Sequence, residues 1–347
     1  MLSGENLSFV EASLSYVGLM SDSTPRPPSL LGDGLLYARH IGHIHGPDGA
    51  RKSWEILHLV VDASVGRPHW GFSTRSGGIR CGLISLEDDM WMLRDRLGAI
   101  VQSTDADEDL LEENLRVICP PRYEDPWDIV DLLDQAAIRT WIGEEELELI
   151  VIDHLSKAHE LQDERDLRPV SNAALAIARA CSCGILFVHH DRKGQPGSRN
   201  RTDPGASRGD SRFSADCRLR IGMKEIKDRI LLDVEKCTGR RRPEAIWLQQ
   251  GENGVLILTD PPATRSEEAA RRREQMLEIV SQAGPGGVAP RALAAELEVS
   301  ERTISGYARE FLEQGLILRI GRAQGTRYMV PNVRELSGPS SAPELTP

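Results

Sequence analysis

The stretch HGPDGARKSWEILHLVV, residues 45–61, decides the fold of this chain. It nearly matches the loop pattern G-x-x-x-x-G-K-[ST], with Gly46 at the first position and Lys52 and Ser53 at the last two. Arg51 stands before the lysine, where the pattern has glycine. A strand-like run precedes the loop and a helical pattern follows it, which is the context that a phosphate-binding loop requires. Arg51 carries a Cβ where the backbone passes close to phosphate, so we expect a conformational cost there.

A loop of this kind binds nucleotide through its backbone and two of its side chains. Successive N–H groups and the start of the helix face the anion, and the lysine reaches the β- and γ-phosphates. The hydroxyl after the lysine binds Mg²⁺. The predicted cofactors are therefore ATP and Mg²⁺. The predicted nucleotide-binding residues are Gly46, Pro47, Asp48, Gly49, Ala50, Arg51, Lys52, Ser53 and Trp54.

Composition limits the class of protein. A chain of 347 residues has room for two domains. Its six cysteines show no paired spacing, which favours reduced thiols in a cytoplasmic protein and argues against a zinc site. No apolar run is long enough to cross a membrane, and the first residues lack the features of an export signal, so we expect no membrane partner. The net charge of −11 does not indicate nucleic-acid binding, but residues 192–224 are locally basic.

Short apolar runs alternate with helical patterns from about residue 35, which predicts an α/β fold. The sheet should be mostly parallel with helices on both faces, and short strands after residue 217 should add antiparallel strands at its end. The predicted divisions are a flexible arm (1–30), the α/β core (31–260), a linker (261–270), a small domain (271–332) and a disordered tail (333–347).

Polar residues follow three of the predicted parallel strands. Asp153 ends LELIVID, Glu87 follows GLISL, and His189 and His190 end GILFVHH. Strands often end in polar residues simply because they reach the surface, but in parallel sheets these ends meet at the edge where ligands bind. There Asp153 can hold Mg²⁺ together with Ser53, and Glu87 can act as general base toward water. The two histidines are polar groups able to sense the γ-phosphate.

These motifs together resemble a known family. The segments GPDGARKSW, ASVGRPHWG, GLISLEDDMWMLRDRL, LIVIDHLSKAHELQDERD, ILFVHHDRK, SRGDSRF and LLDVEKCTG occur in order between residues 35 and 260. They resemble RecA/DnaB-type P-loop ATPases, particularly the RepA-like hexameric replicative helicases of plasmids and their relatives on mobile elements. The resemblance implies a RecA-like ATPase core.

The resemblance also implies roles for single residues. The catalytic residues it suggests are Lys52, Glu87, His190, Arg208 and Lys236, the last two acting on the nucleotide of a neighbouring subunit. Many relatives have a second basic residue two positions after that lysine, where this chain has Thr238. The charge acting between subunits must then come from Arg208, Lys236 or the cluster 240–242.

The resemblance further implies assembly into a ring, most simply a hexamer, with ATP at the subunit interfaces. The loop after the histidines would face the central channel and follow the backbone of single-stranded DNA by charge. The basic residues predicted to do so are Arg192, Lys193, Arg199 and Arg201.

Residues 271–331 have the pattern of a winged helix, with three helical segments and a final hairpin. Ser300 is a suitable N-cap for the third helix. That helix would present Arg302, Thr303 and Arg309 to a DNA groove, with Arg322 near phosphates. The domain is expected to bind duplex DNA or a replication protein. The alternative is a winged helix that makes only protein contacts.

Three functions remain after the sequence. The leading hypothesis is an ATP-dependent DNA translocase or helicase that replicates a plasmid, phage or integrated element. The second is an ATP-switched DNA-binding regulator that acts through the winged helix. The third is a nucleotide-binding scaffold that hydrolyses weakly because of Arg51.

Overall fold

The structure is a computed structural model that describes residues 13–119, 127–161, 166–190, 211–322 and 325–331. The chain forms two compact units that divide after Pro261. Within the described residues, no helix is both long and apolar enough to cross a bilayer.

The first unit contains strands, helices and three short 3-10 turns, the turns at Gly32–Gly34, Leu155–Lys157 and Glu252–Gly254. Its strands are β1 (Ser29–Leu31), β2 (Leu36–Tyr37), β3 (Ile41–Gly46), β4 (Cys81–Ser85), β5 (Leu115–Ile118), β6 (Leu149–Asp153), β7 (Gly184–His190), β8 (Leu219–Ile226), β9 (Arg229–Cys237), β10 (Ile246–Gln250) and β11 (Leu256–Leu258). Its helices are α1 (Tyr16–Ser21), α2 (Lys52–Val65), α3 (Met90–Thr104), α4 (Glu108–Asn114), α5 (Leu132–Glu144), α6 (Arg168–Cys181) and α7 (Ser211–Asp216).

The described residues build a nine-stranded sheet in the order β11-β10-β9-β8-β3-β7-β6-β4-β5. Neighbours from β8 to β5 run parallel, and β9, β10 and β11 add antiparallel pairings at the other side. The expected α/β architecture, a mostly parallel sheet with late antiparallel strands, is confirmed. The strand before the loop, β3, is central, and its register pairs Gly46 with His190 of β7.

Both faces of the sheet are buried, which explains why the parallel strands are apolar almost without interruption. On one face Ile44 of β3 packs in a cluster with Ile56 and Val60 of α2. On the other face Ile41 of β3 packs in a cluster with Ile177 of α6. Successive side chains of a strand point to opposite faces, so β3 supplies both layers.

The start and the middle of the first unit contain elements that the sequence reading did not include. The segment predicted as a flexible arm, 1–30, contains α1 and the beginning of β1, where Leu30 is buried. Helix α4 was also not foreseen, because its sequence is mostly acidic and short. It begins at a definite position because the Asp107 side chain accepts hydrogen bonds from two of its first N–H groups.

The described part of the second unit has three α-helices followed by a hairpin, with a 3-10 turn at Gly284–Gly286. These elements are α8 (Arg265–Gln282), α9 (Pro290–Glu296), α10 (Glu301–Glu313), β12 (Leu318–Ile320) and β13 (Arg327–Met329). Its core contains Met276, Ile304, Phe311 and Tyr328. The N–H and C=O of Val288 pair with those of Tyr328, which ties the segment before α9 to the hairpin.

Helix α8 starts earlier than the predicted domain boundary at residue 271. It begins at Arg265, inside the segment 261–270 that was read as a linker. The cause is a capping box, in which Thr264 and Glu267 satisfy each other's backbone N–H groups. The predicted tail 333–347 lies outside the described residues.

Candidate functional site

The loop between β3 and α2 has the backbone that its sequence required. Gly49 has φ 81 and Arg51 has φ 61, so both lie in the left-handed region. A side chain there costs roughly 1–2 kcal/mol, which is the conformational cost expected at Arg51. Gly46 is required for a different reason, since a Cβ at this position would lie 2.4 Å from the carbonyl oxygen of Met223 on β8.

Lys52 lies in the hollow of the loop. Its side chain is buried, and Nζ donates hydrogen bonds of 2.8 Å to the carbonyl oxygens of Gly46 and Pro47. The ammonium is therefore held at the place where the loop surrounds an anion in proteins of this kind.

A cavity of about 780 Å³ opens at the carboxyl end of the parallel strands, beside this loop. It brings together predicted residues from the loop, from the end of β4 and from the end of β7. Gly46, Pro47 and Ala50 belong to the loop but not to the cavity lining. The lining residues are Asp48, Gly49, Arg51, Lys52, Ser53, Trp54, Glu87, Asp88, Met92, Arg96, His154, Ser156 and His190.

Ser53 and Asp153 form the part of the site that suits a hard cation. Burial raises the pKa of Asp153 to about 6, although a hydrogen bond from Ser53 opposes the shift. The negative charge of Glu87 adds to the increase. The Oδ1 atom of Asp153 is buried and has no hydrogen-bond partner. An uncompensated carboxylate oxygen beside a serine hydroxyl fits Mg²⁺, which prefers oxygen ligands.

Glu87 and two histidines form a cluster on the cavity wall. Glu87 Oε2 lies 3.5 Å from His154 Nε2, and the rings of His154 and His190 meet edge to face at 4.8 Å. His190 Nδ1 lies 2.7 Å from Asp48 Oδ1 in the loop. Burial lowers the pKa of His154 to about 4 and also lowers that of His190, so both rings are neutral at pH 7. Because neither ring carries a positive charge, neither neutralises the Glu87 carboxylate, which can then accept a proton.

Only one of the two predicted β7 histidines faces the cavity. His189 is buried against His43 of β3, and neither of its ring nitrogens has a hydrogen-bond partner. Burial lowers its pKa to about 3. Because neighbouring side chains of a strand point in opposite directions, His190 reaches the cavity while His189 enters the core. His190 therefore lines the cavity, whereas His189, which the sequence places at the same strand end, does not.

Several lining residues were missed by the sequence reading. Asp88 directly follows Glu87, and His154 directly follows Asp153. In the sequence, this adjacency to predicted site residues is the only indication that Asp88 and His154 belong to the site. Arg96 comes from α3, pairs with Asp88, and holds its guanidinium carbon 5.7 Å from the centre of a Trp54 ring. Nothing in its sequence position distinguishes it from an exposed helical arginine.

Of the residues expected to act between subunits, those that the structure describes lie outside the cavity. Lys236 is on β9, and its Nζ donates a 2.5 Å hydrogen bond to the carbonyl oxygen of Ala215. It does not line the cavity. Arg240 lies over the ring of Phe72, and Arg242 pairs with Asp233. Arg192, Lys193, Arg199, Arg201 and Arg208 lie outside the described residues.

The predicted DNA-contacting residues of the second unit are at its surface. Arg302 and Arg309 of α10 are exposed, as is Arg322 after β12, whereas Thr303 is half-buried. Ser300 caps α10 by accepting a hydrogen bond of 3.1 Å from the N–H of Thr303.

Comparisons with known proteins bear on the first unit. The search of curated proteins found no match. Among solved structures, the crystal structure of the RadB recombinase is similar with a TM-score of 0.43 and 13% sequence identity, over 65% of this chain and 92% of that one. Residues 12–196, more than half of the chain, match the family AAA_25, described as AAA domain. This segment includes the loop, Glu87, Asp153 and His190, and the chain belongs to the AAA domain family.

Proposed function

We propose that this protein is an ATP-dependent DNA translocase of the RepA-like hexameric helicase type. The observation that carries the proposal is one cavity that brings together Lys52, Ser53 and the Glu87–His190 cluster, with Asp153 beside it in a hydrogen bond with Ser53. Membership of the AAA domain family supports the nucleotide-dependent part. The DNA-translocating part is supported by the sequence resemblance.

ATP with Mg²⁺ supplies a phosphoanhydride bond that water can cleave and a cation that offsets the phosphate charge. Lys52 binds the β- and γ-phosphates in exchange for its two carbonyl partners. Ser53 and Asp153 would hold Mg²⁺, whose positive charge would lower the pKa of the buried Asp153 carboxyl. These residues bind and orient the nucleotide without changing it chemically.

Glu87 is the residue that takes part in proton transfer. It accepts the proton of the attacking water while the bond to the γ-phosphorus forms and the bond to the leaving diphosphate oxygen breaks. His154 stays neutral and 3.5 Å from the carboxylate, so it restricts where Glu87 can lie without neutralising it. His190 contacts both the loop, through Asp48, and this cluster.

His190 is also the last residue of β7, and it is two residues before Arg192, where the basic segment that contains Arg192, Lys193, Arg199 and Arg201 begins. A change at the γ-phosphate therefore has a short covalent path to the segment proposed to bind single-stranded DNA. In the proposed ring, Arg208 and Lys236 reach the nucleotide of the neighbouring subunit.

The test is steady-state ATP hydrolysis with and without single-stranded DNA. Wild type should turn over faster with DNA, Lys52→Ala should lose both binding and turnover, and Glu87→Gln should bind ATP but lose turnover by at least ~100-fold. Asp95→Asn, an exposed carboxylate on α3, is the matched control and should behave as wild type. If DNA does not change the rate of hydrolysis, the translocase proposal is contradicted. If the wild type binds ATP but does not hydrolyse it, the proposal that the protein is an ATPase is contradicted.

A second candidate function rests on the second unit. Its helix order, its hairpin and the exposed Arg302 and Arg309 suit a winged helix that reads duplex DNA. In an ATP-switched regulator, footprinting should show a defined duplex site that is lost in Arg302→Ala/Arg309→Ala, with little stimulation of hydrolysis by single strands. DNA-stimulated turnover without any duplex footprint would favour the translocase instead.

A further inference from the structure

A second cluster of titratable side chains lies on α2 and outside the nucleotide cavity. His58 and Asp62 are four residues apart, so they share one face of the helix. The chain turns back after Gly66, which has φ 74, and brings His69 against the same face. One ligand atom from each of His58, Asp62 and His69 lies within 4.8 Å of the other two.

The distances in this cluster are close to those of a metal site. His58 Nε2 lies 3.3 Å and His69 Nδ1 lies 2.7 Å from the same oxygen, Oδ2 of Asp62. Tetrahedral ligands with bonds of roughly 2.0–2.2 Å are themselves roughly 3.3–3.5 Å apart. The contact of His58 already has this spacing, and the contact of His69 needs to open by roughly 0.6–0.8 Å.

A carboxylate also lies behind His69 in the position that metal-binding histidines require. His69 Nε2 is 3.0 Å from Glu55 Oε1, and the indole N–H of Trp70 donates to the same oxygen. Metal-binding histidines usually donate their second N–H to such a group, which fixes the ring orientation. Glu55 is only 1% exposed, and its other oxygen, Oε2, is buried without a hydrogen-bond partner.

The charges of the buried carboxylates also favour a metal site. Asp62 and Glu55 are 4% and 1% exposed and lie on either side of the His69 ring. Arg67 is the nearby fixed cation, with its Nε 3.9 Å from Oδ1 of Asp62, and its partly exposed side chain balances at most one of these two carboxylates. Unbalanced buried charge is costly, and a dication would offset both carboxylates.

We propose that His58, Asp62 and His69 bind a divalent transition metal of the Zn²⁺ class, with Glu55 orienting His69. Two imidazoles and a carboxylate suit such ions, whereas Mg²⁺ and Ca²⁺ prefer oxygen ligands throughout. The cysteine spacing argued against a zinc site, but this cluster uses no cysteine. A neighbouring cavity of about 220 Å³ leaves room for water at the fourth position. The metal fastens the segment after α2 to that helix.

The test uses the full-length chain, stripped of metal with a chelator and titrated with Co²⁺ alone. All variants are made in a His154→Gln/His190→Gln background, because the Glu87 cluster also brings three ligand atoms within 4.8 Å. In that background we expect one Co²⁺ per chain with the visible absorption of a four-coordinate site. His58→Gln and Asp62→Asn should each weaken binding by at least ~10-fold, and His40→Gln, a half-buried histidine elsewhere, should not.

Thermal unfolding separates lost ligands from lost structure. Zn²⁺ should raise the unfolding midpoint of the background protein and raise that of His58→Gln by less, while both should unfold at similar temperatures in chelator. His58 is the decisive position if Asp62→Asn does not fold, since it is partly exposed. Absence of a four-coordinate Co²⁺ spectrum in the background protein overturns the proposal. So does binding that is equally tight in a folded His58→Gln variant.

Discussion

Replacing Asp153 by asparagine should stabilise the first unit when nucleotide and Mg²⁺ are absent, although it removes a residue of the site. Burial raises the pKa of this carboxyl from 3.8 to about 6 in the folded chain. Between these values the folded state binds more protons than the unfolded state, so stability falls as the pH rises from about 4 to about 6. Above that range the ionised Asp153 costs about 3 kcal/mol, from a shift of about two units. Asparagine has the same shape and no charge to bury.

Urea unfolding in EDTA, followed by tryptophan fluorescence, measures this cost. The six tryptophans lie between residues 54 and 247, so the signal reports the first unit alone. Asp153→Asn should unfold at higher urea than wild type at pH 7.5, by up to about 3 kcal/mol, and the gain should fall to roughly half at pH 5. The Asp95→Asn control should show no comparable gain. A destabilised Asp153→Asn at pH 7.5, or a gain that does not change with pH, would refute the reasoning.

Three further changes test the backbone and the helix caps. Arg51→Gly should be more stable than Arg51→Ala by roughly 1 kcal/mol in the same fluorescence assay, because only glycine removes the left-handed strain; equal stabilities would contradict this. Gly46→Ala should cost roughly 1–3 kcal/mol, since its Cβ meets the Met223 carbonyl oxygen; wild-type stability would show that the strands can move apart. Thr264→Ala should cost the second unit about 1 kcal/mol by removing the capping box, measured by the loss of helical circular dichroism on heating. An unchanged transition would mean that α8 starts there for another reason.

The sequence predicted the parallel sheet and its reactive edge because both depend on chain order. Strands alternating with helices specify parallel pairing, and parallel pairing places the ends of β3, β4, β6 and β7 at one edge. The positions of Lys52, Ser53, Glu87 and His190 around one cavity follow from that topology. The sequence carried this much because no long-range side-chain geometry was needed.

Side-chain direction was less accessible to the sequence. In a strand covered on both faces, nearly every residue is apolar. The alternation of polar and apolar residues therefore does not show which face of the sheet a given side chain points to. His189 and His190 could therefore not be separated until the register of β7 was known. Arg96 was missed because its role depends on where α3 lies relative to the loop.

The hydrogen bonds of Lys52 have a consequence for how the loop meets its ligand. Two carbonyl oxygens, those of Gly46 and Pro47, accept hydrogen bonds from the Lys52 ammonium. These bonds tie the lysine to the start of the loop and stabilise the curved shape of the loop. Nucleotide binding exchanges these two hydrogen bonds of Lys52 for contacts with phosphate in a loop that is already curved. The loop therefore loses little conformational entropy at that step. Removing the ammonium should for the same reason loosen the empty loop as well as the occupied one.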